Sequence, residues 1–593
     1  MESKPKGGVI SRSIESIRYY LTRSQKVKVS WMFLLSLMSS VLDVAGLASL
    51  IPVMLVAAEP GGVLKNKYFS YIYYLANFQS ERSFLLMLIV ALFVFFLLKN
   101  LFSIWVNYVQ VKLTAEIGII VTQSQLSKYL NFPFWYFNDL GSVNLINNVL
   151  NVPAGYVGGI LRTLVVVFSE SIIIAVIIIS ILIYKPLLIG LLALILGPTM
   201  LFTYRGLRTR SQYVGDELHK LRPASIAISN NLFTGFVELK LADKQGQLQE
   251  ALIRNQRNIQ DLDASVYLYG VLPVRIIEMV AIIGVLIIFL YSILFPNANS
   301  SLITLVGLFA AAAYRLMPSI NRILSGLVTL KHSQYAIDSL GMHREEKFSE
   351  RMHPVQLPLL FEHNLAFEKV SFSFPSAEKP ALHNMTLTIR KGEKIGFIGS
   401  SGSGKTTLMN LLLRFYSEQS GQITVDSQPL TSQYLQAWHR IIGYVKQDTF
   451  LMESSIKDNI TLGDEKVDDK RLLYAIEQAS LQNFIANLPQ GVDTLIGERG
   501  SKLSGGQRQR IGIARAMYKQ AQVLILDEAT SALDNDTERE VSEAISKLSD
   551  NDITILIVAH RITTLRDCDR IYELKDGEIC AEHQYGDLIQ RFI

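Results

Sequence analysis

Two short stretches of this 593-residue chain have residue types and spacings suited to phosphoryl chemistry. The first is Gly399-Ser400-Ser401-Gly402-Ser403-Gly404-Lys405-Thr406, followed by Thr407. Glycines at that spacing let successive backbone N–H groups turn toward one anion. The lysine can reach the terminal phosphate oxygens, and the Thr406 hydroxyl can ligate a divalent cation. The second is Val523-Leu-Ile-Leu-Asp527, an apolar run ending in a carboxylate, followed by Glu528. Asp527 is suited to hold Mg2+, directly or through water, and Glu528 to polarise an attacking water. A strand ending in Asp-Glu is common by itself. Downstream of a phosphate loop it completes a site for nucleoside-triphosphate hydrolysis, with ATP and Mg2+ as the implied cofactors.

Such residues need particular elements to hold them. The glycine-rich run follows the apolar segment Lys394–Ile398 and opens a helical pattern at Thr407–Phe415. That strand–loop–helix order points a helix N-terminus at the phosphates. From about residue 357 onward, short β-rich runs alternate with helical patterns, the mark of an α/β domain.

The chain between and after these motifs resembles the ABC class of ATPases. Leu503-Ser504-Gly505-Gly506-Gln507 matches the ABC signature, Val445-Lys-Gln447-Asp448 the Q-loop, and Ser531-Ala-Leu-Asp534 the D-loop. His560 falls where the switch histidine stands, and Gly497-Glu-Arg-Gly500 resembles the X-loop of exporters. The resemblance extends from about Phe367 to the C-terminus. It implies that two such domains meet head to tail, with ATP between the phosphate loop of one and Ser504, Gly505, Gly506 and Gln507 of the other. Asp534 lies at that interface. Glu528 and His560 act at the γ-phosphate, and Gln447 contacts the metal and reports nucleotide state. The aromatic platform for adenine, usually Tyr, falls at Phe374, which keeps the stacking face and loses only a hydroxyl.

Ahead of that domain the chain changes character. Apolar residues make up 49% of the whole and charged residues 18%, with mean hydropathy +0.27: a membrane part joined to a soluble part. A net charge of +5 leaves no nucleic-acid footprint. The only cysteines, Cys568 and Cys580, cannot form a disulfide framework. Six apolar segments are long enough to span: Val29–Ala57, Ser83–Val109, Val157–Tyr184, Pro186–Leu207, Val271–Leu294 and Leu302–Leu330. Segments three and four, and five and six, are joined by short stretches with little charge, whereas Arg208–Asp263 between four and five is long and basic. That asymmetry places both termini in the cytoplasm. The expected fold is multidomain: a basic leader at 1–28, an all-α six-helix transmembrane domain at 29–335, a charged linker at 336–356, and an α/β ATPase domain at 357–593. The loop with Tyr68, Phe69, Tyr71, Tyr73, Tyr74 and Phe78 fits an interfacial helix or an aromatic belt.

Six spans ahead of one ATPase resemble exporter half-transporters of the type IV ABC fold, which implies a homodimer. By position, Asn131–Gly141 and Asn230–Val237 match the two coupling helices that dock on the ATPase. An ATPase without transport and a nucleotide-gated channel are the rival readings; six spans disfavour the first, an intact Glu528 and His560 the second. In segment six, Arg315 lies about 20 Å deep at 1.5 Å per residue, and Arg322 follows on nearly the same face. With Arg275 these guanidinium groups suit a pyrophosphate, unless Glu278, Asp43 and Glu170 neutralise the basic residues of the bundle. Tyr314-Arg-Leu-Met-Pro-Ser319 and Asp43-Val-Ala-Gly46 resemble bacterial flippases of lipid-linked oligosaccharides, which implies a bacterial inner membrane. The expected cargo is an amphipathic polyprenyl-pyrophosphate glycan or related anionic glycolipid; a lipid, drug or peptide is the alternative.

Overall fold

The structure, a computed structural model, describes residues 9–58, 67–75, 78, 80–132, 134–184, 186–294, 299–341, 357–374, 377, 379–529, 535–549, 552–559 and 561–592. The side chains of residues 50–58, 183–193 and 291–315, among others, lie outside that description. The chain folds as two compact units, Met1–Leu130 with Leu140–Glu346, and Asn131–Asp139 with Lys347–Ile593.

The first unit is helical. Its six apolar segments lie in long helices: Arg23–Ala58, Glu81–Leu130, Ser142–Tyr184 (with a π-helical turn at Val157–Leu161), Pro186–Thr234, Gln245–Leu294 and Asn299–His332. The two 50-residue helices each rise about 75 Å, against about 30 Å of hydrocarbon. They therefore run far beyond the apolar segments. The basic stretch Arg208–Asp263 is mostly such an extension. Val214, Leu218 and Ile259 pack together there, and Arg222 pairs with Asp263 at 3.0 Å. Glu81–Leu130, Ser142–Ile179 and Gln245–Ile287 are long and apolar enough to cross a membrane, and only 6% of the most apolar stretch of the first is buried. An apolar surface left open in this way is suited to lipid. The other three expected spans fall partly on side chains outside the description. The aromatic loop forms a helix, Lys67–Leu75, in which Phe69 and Tyr73 pack with Phe78 on the fully buried Phe84 while Tyr71 and Tyr74 stay exposed.

The second unit is α/β. Strands β1 (Asn364–Phe372), β2 (Leu382–Arg390), β4 (Ser420–Val425) and β5 (Gln428–Pro429) form an antiparallel sheet in the order β2-β1-β4-β5. In β2, Leu382, Met385, Leu387 and Ile389 face the core and polar residues face out, as a one-sided sheet requires. The larger sheet has the order β10-β9-β3-β8-β7-β6. It comprises β3 (Lys394–Gly399), β6 (Ile442–Lys446), β7 (Val523–Asp527), β8 (Thr554–Val558), β9 (Arg570–Lys575) and β10 (Glu578–His583). It is parallel except where β10 meets β9. Val523 to Leu526 and Thr554 to Val558 are buried without a break, which is why these strands read as continuous apolar runs. The carboxyl ends of β3, β6 and β7 thereby come together, the place where an open α/β sheet binds its ligand.

Candidate active site

The glycine-rich run leaves β3 and enters the helix Lys405–Leu412. Gly399, Gly402 and Gly404 have φ of +150°, +81° and +103°, values that favour glycine. At Gly399 a Cβ would also lie 2.3 Å from the Leu574 carbonyl oxygen, and at Gly404 2.7 Å from Leu382. The Lys405 ammonium folds back onto its own loop, donating to the Gly399 and Ser400 carbonyls at 2.8 and 2.9 Å and lying 3.4 Å from Ser403 Oγ. Burial lowers its pKa, an effect opposed by Glu528 and Asp527. Thr406 is exposed at the helix start and Thr407 half-buried; Ser400 and Ser401 are exposed.

Asp527 ends β7 beside Lys446 of β6, its register partner. The Tyr444 hydroxyl donates to Asp527 Oδ2 at 2.9 Å. Burial raises the Asp527 pKa; the Tyr444 hydrogen bond, Lys446 and Lys405 oppose the rise, while Glu528 adds to it. A half-buried carboxylate at the end of β7 fits a divalent cation that takes its remaining ligands from phosphate and water. Among the described residues no cluster of three or more His, Cys, Asp or Glu offers an all-protein cage. Glu528 has φ +54°, a strained backbone for a non-glycine residue, and its N–H is tied to the Val558 carbonyl at 3.0 Å. Gln447 is exposed directly after β6.

The signature run caps the helix Gly505–Tyr518. Ser504 Oγ accepts from Gln507 N–H, and the Gln507 side chain accepts from Ser504 N–H, a complete capping box. Phe374 packs edge-on against Phe372 and Tyr416, with ring centroids 5.1 and 5.6 Å away.

Residues 382–531 match the ABC transporter family. The whole chain superposes on a bacterial Atm1-family ABC exporter solved with ATP bound, with a TM-score of 0.76, 20% identity and 96% of both chains covered. The chain has an ABC exporter fold. A protein of Syntrophus aciditrophicus named ATP-dependent lipid A-core flippase is 45% identical over 41% of this chain and 40% of its own length. One of the same name from Saccharophagus degradans is 33% identical over 64% of each. A Staphylococcus aureus protein provisionally named a multidrug export ATP-binding/permease protein is 44% identical over 38% of this chain and 39% of its own. The chain thus spans between about two fifths and two thirds of the length of these relatives.

Within the ABC unit the structure gathers the phosphate loop, Asp527, Glu528 and Lys405 at one sheet end. His560 and Ser531–Asp534 lie outside the described residues. Of the two segments expected to dock, Phe134 from the first belongs to the ABC unit and stacks on Phe415, with centroids 4.8 Å apart. The second ends in the short helix Phe236–Leu241, where Phe236, Val237 and Leu241 are exposed. Sequence reasoning missed Tyr444; its only signal is a position two residues before Lys446 on the strand that leads to Gln447.

Arg275 and Arg322 are not the bare cations that a clamp would present. Arg275 pairs with Glu278 at 2.8 Å and Arg322 with the buried Glu170. Lys99 pairs with Asp43 at 2.7 Å. The Arg315 side chain lies outside the described residues.

Proposed function

We propose that this chain is one half of an ATP-driven exporter that works as a homodimer in a bacterial inner membrane and moves an amphipathic, anionic lipid-linked glycan outward. One observation carries the reading: a hydrolysis site and six long helices share one chain, and residues 131–139, between two of those helices, pack within the ABC unit. Loop N–H groups and Lys405 hold the phosphates, and Lys405 exchanges its loop carbonyls for phosphate oxygens. The Glu528 carboxylate accepts a proton from water as the water oxygen attacks the γ-phosphorus in line. The bond from that phosphorus to the β,γ-bridging oxygen breaks, and ADP leaves with the oxygen. Ser504, Gly505 and Gly506 of a second copy close over the same phosphate, so hydrolysis removes the group that bridges the two copies. Mg2+, held by Thr406 and Asp527 with Gln447 beside it, would neutralise charge on the β- and γ-oxygens.

Every catalytic motif is present in this one sequence, which supports a pair of competent sites in a homodimer. A fully active particle with the mass of one copy would contradict it. Two relatives named for lipid A-core flipping support an anionic glycolipid as cargo, and the polyprenyl-pyrophosphate glycan is the member of that class we favour. The paired state of Arg322 makes it a held cation rather than an open one: Glu170 takes one edge of the guanidinium, while more than half of the side chain stays exposed. In proteoliposomes, Arg315→Ala with Arg322→Ala is expected to slow flipping of such a glycolipid and leave basal ATP turnover largely intact. Wild-type flipping by the double variant would defeat the arginine clamp. The relative named for multidrug export would then mark the better reading.

A further inference from the structure

Residues 131–139 contribute one aromatic ring that touches two lines of side chains. On one side, Phe134 stacks on Phe415 and meets Tyr416 edge-on at 6.2 Å. Tyr416 in turn stacks on Phe372 at 5.0 Å and meets Phe374 edge-on at 5.6 Å. On the other side, the Lys446 ammonium lies 5.8 Å from the Phe134 ring centre and 5.6 Å from that of Tyr444. Tyr444 and Lys446 are two residues apart on β6 and so share a face. The Tyr444 hydroxyl then holds Asp527 Oδ2 at 2.9 Å. All of these contacts lie within the ABC unit.

We propose that Phe134 is a positioning residue for both ends of the nucleotide site: for the adenine platform through Tyr416 and Phe374, and for the metal-holding carboxylate through Lys446, Tyr444 and Asp527. The Lys446 ammonium lies over both rings and is also drawn to Asp527, so a displaced Phe134 removes one of the attractions that place it. Lys446 then shifts relative to Tyr444, and the hydroxyl loses its aim at Asp527. Moving the ring also loosens the edge contacts that set the plane of Phe374. A displacement of this segment thus alters nucleotide affinity without any residue of the segment touching nucleotide.

The inference rests on the assignment of Asp527 to Mg2+, which Asp527→Asn tests separately: a wild-type Mg2+ midpoint in that variant would remove the assignment itself. The experiment is equilibrium binding of a fluorescent ATP analogue to the full-length protein in nanodiscs, with EDTA and across a Mg2+ titration. Tyr444→Phe is expected to raise the Mg2+ midpoint about fivefold, the equivalent of one lost hydrogen bond, and to leave Mg2+-free affinity unchanged. Phe134→Ala is expected to raise the midpoint and also weaken Mg2+-free binding severalfold, and Phe134→Tyr to restore both. The double variant Phe134→Ala with Tyr444→Phe should raise the midpoint no further than the larger single effect. Should Phe134→Ala fail to fold, Phe134→Leu keeps the apolar bulk without a ring face and is expected to raise the midpoint alone. Wild-type binding in both EDTA and Mg2+ for a folded Phe134 variant, or additive midpoints in the double variant, would overturn the proposal.

Discussion

The phosphate loop and the arginines of the membrane unit both put positive charge where an anion could sit, and the fold treats them differently. Lys405 is held by carbonyls of its own loop, Gly399 and Ser400, groups that a phosphate can displace without stranding a charge. Arg322 is held by Glu170, a buried carboxylate 152 residues away whose second oxygen has no partner among the described residues. One cation is poised by a neutral cradle and the other already has a counter-charge. The first arrangement follows from eight contiguous residues. The second depends on how two helices pack, and no local pattern announces it.

The sharpest way to break the contrast is at Glu528, the proposed catalytic carboxylate. Glu528→Gln keeps shape and hydrogen bonding but cannot take a proton. ATP turnover is expected to fall by about 100- to 10,000-fold with ATP binding intact; near-normal turnover by the purified variant would remove Glu528 from its role. Next comes the cradle itself. Gly399→Ala places a methyl group 2.3 Å from a main-chain oxygen in β9, at a φ of +150°. It should cost clearly more stability and ATP affinity than Gly402→Ala, where no neighbour lies within 4 Å and left-handed strain alone costs roughly 1–2 kcal/mol. Equal thermal shifts and equal binding for the two variants would mean that loop conformation, not the close approach of β9, sets the loop. The smallest effect belongs to the membrane-unit pair. Arg322→Ala leaves Glu170 buried without its cation and is expected to cost about 1–3 kcal/mol, partly recovered in Arg322→Ala with Glu170→Gln. Unchanged thermal unfolding in Arg322→Ala would show that the pair is not structural and return Arg322 to the open state of a free clamp.

Contiguous features were legible in the residues. The glycine run, the β7 carboxylate and the apolar segments that lie in long helices each declare themselves within a few turns of chain. The Arg275–Glu278 pair was also visible, because residues three apart share a helix face. Features assembled across elements were not. Tyr444 reaches Asp527 only because β6 lies beside β7, an order that sequence spacing does not reveal. Asn459 is another case. Its fully buried amide ties Met452, Ser454 and Ser455 into one turn, with four hydrogen bonds of 2.8 to 3.1 Å, yet in sequence it is one asparagine in a polar run. The position of the 131–139 segment between two spans was readable; that Phe134 stacks on Phe415 and leaves Lys446 over its ring was not.

The capping box at Ser504 has a consequence for denticity. A helix start offers several main-chain donors, but here the Gln507 N–H is taken by Ser504 Oγ, and the Arg508 N–H by the Ser504 carbonyl at 3.1 Å. Two glycine N–H groups, Gly505 and Gly506, remain bare of side chains. The Ser504 hydroxyl, accepting through its oxygen, still has its hydrogen to give. The helix end is therefore a three-pronged donor, and a terminal phosphoryl group has three outer oxygens. The three prongs meet a terminal phosphoryl group at one depth only: the diphosphate left after hydrolysis also ends in three outer oxygens, but one phosphoryl unit further back, so in the proposed dimer the grip between two copies weakens once the γ-phosphate is gone.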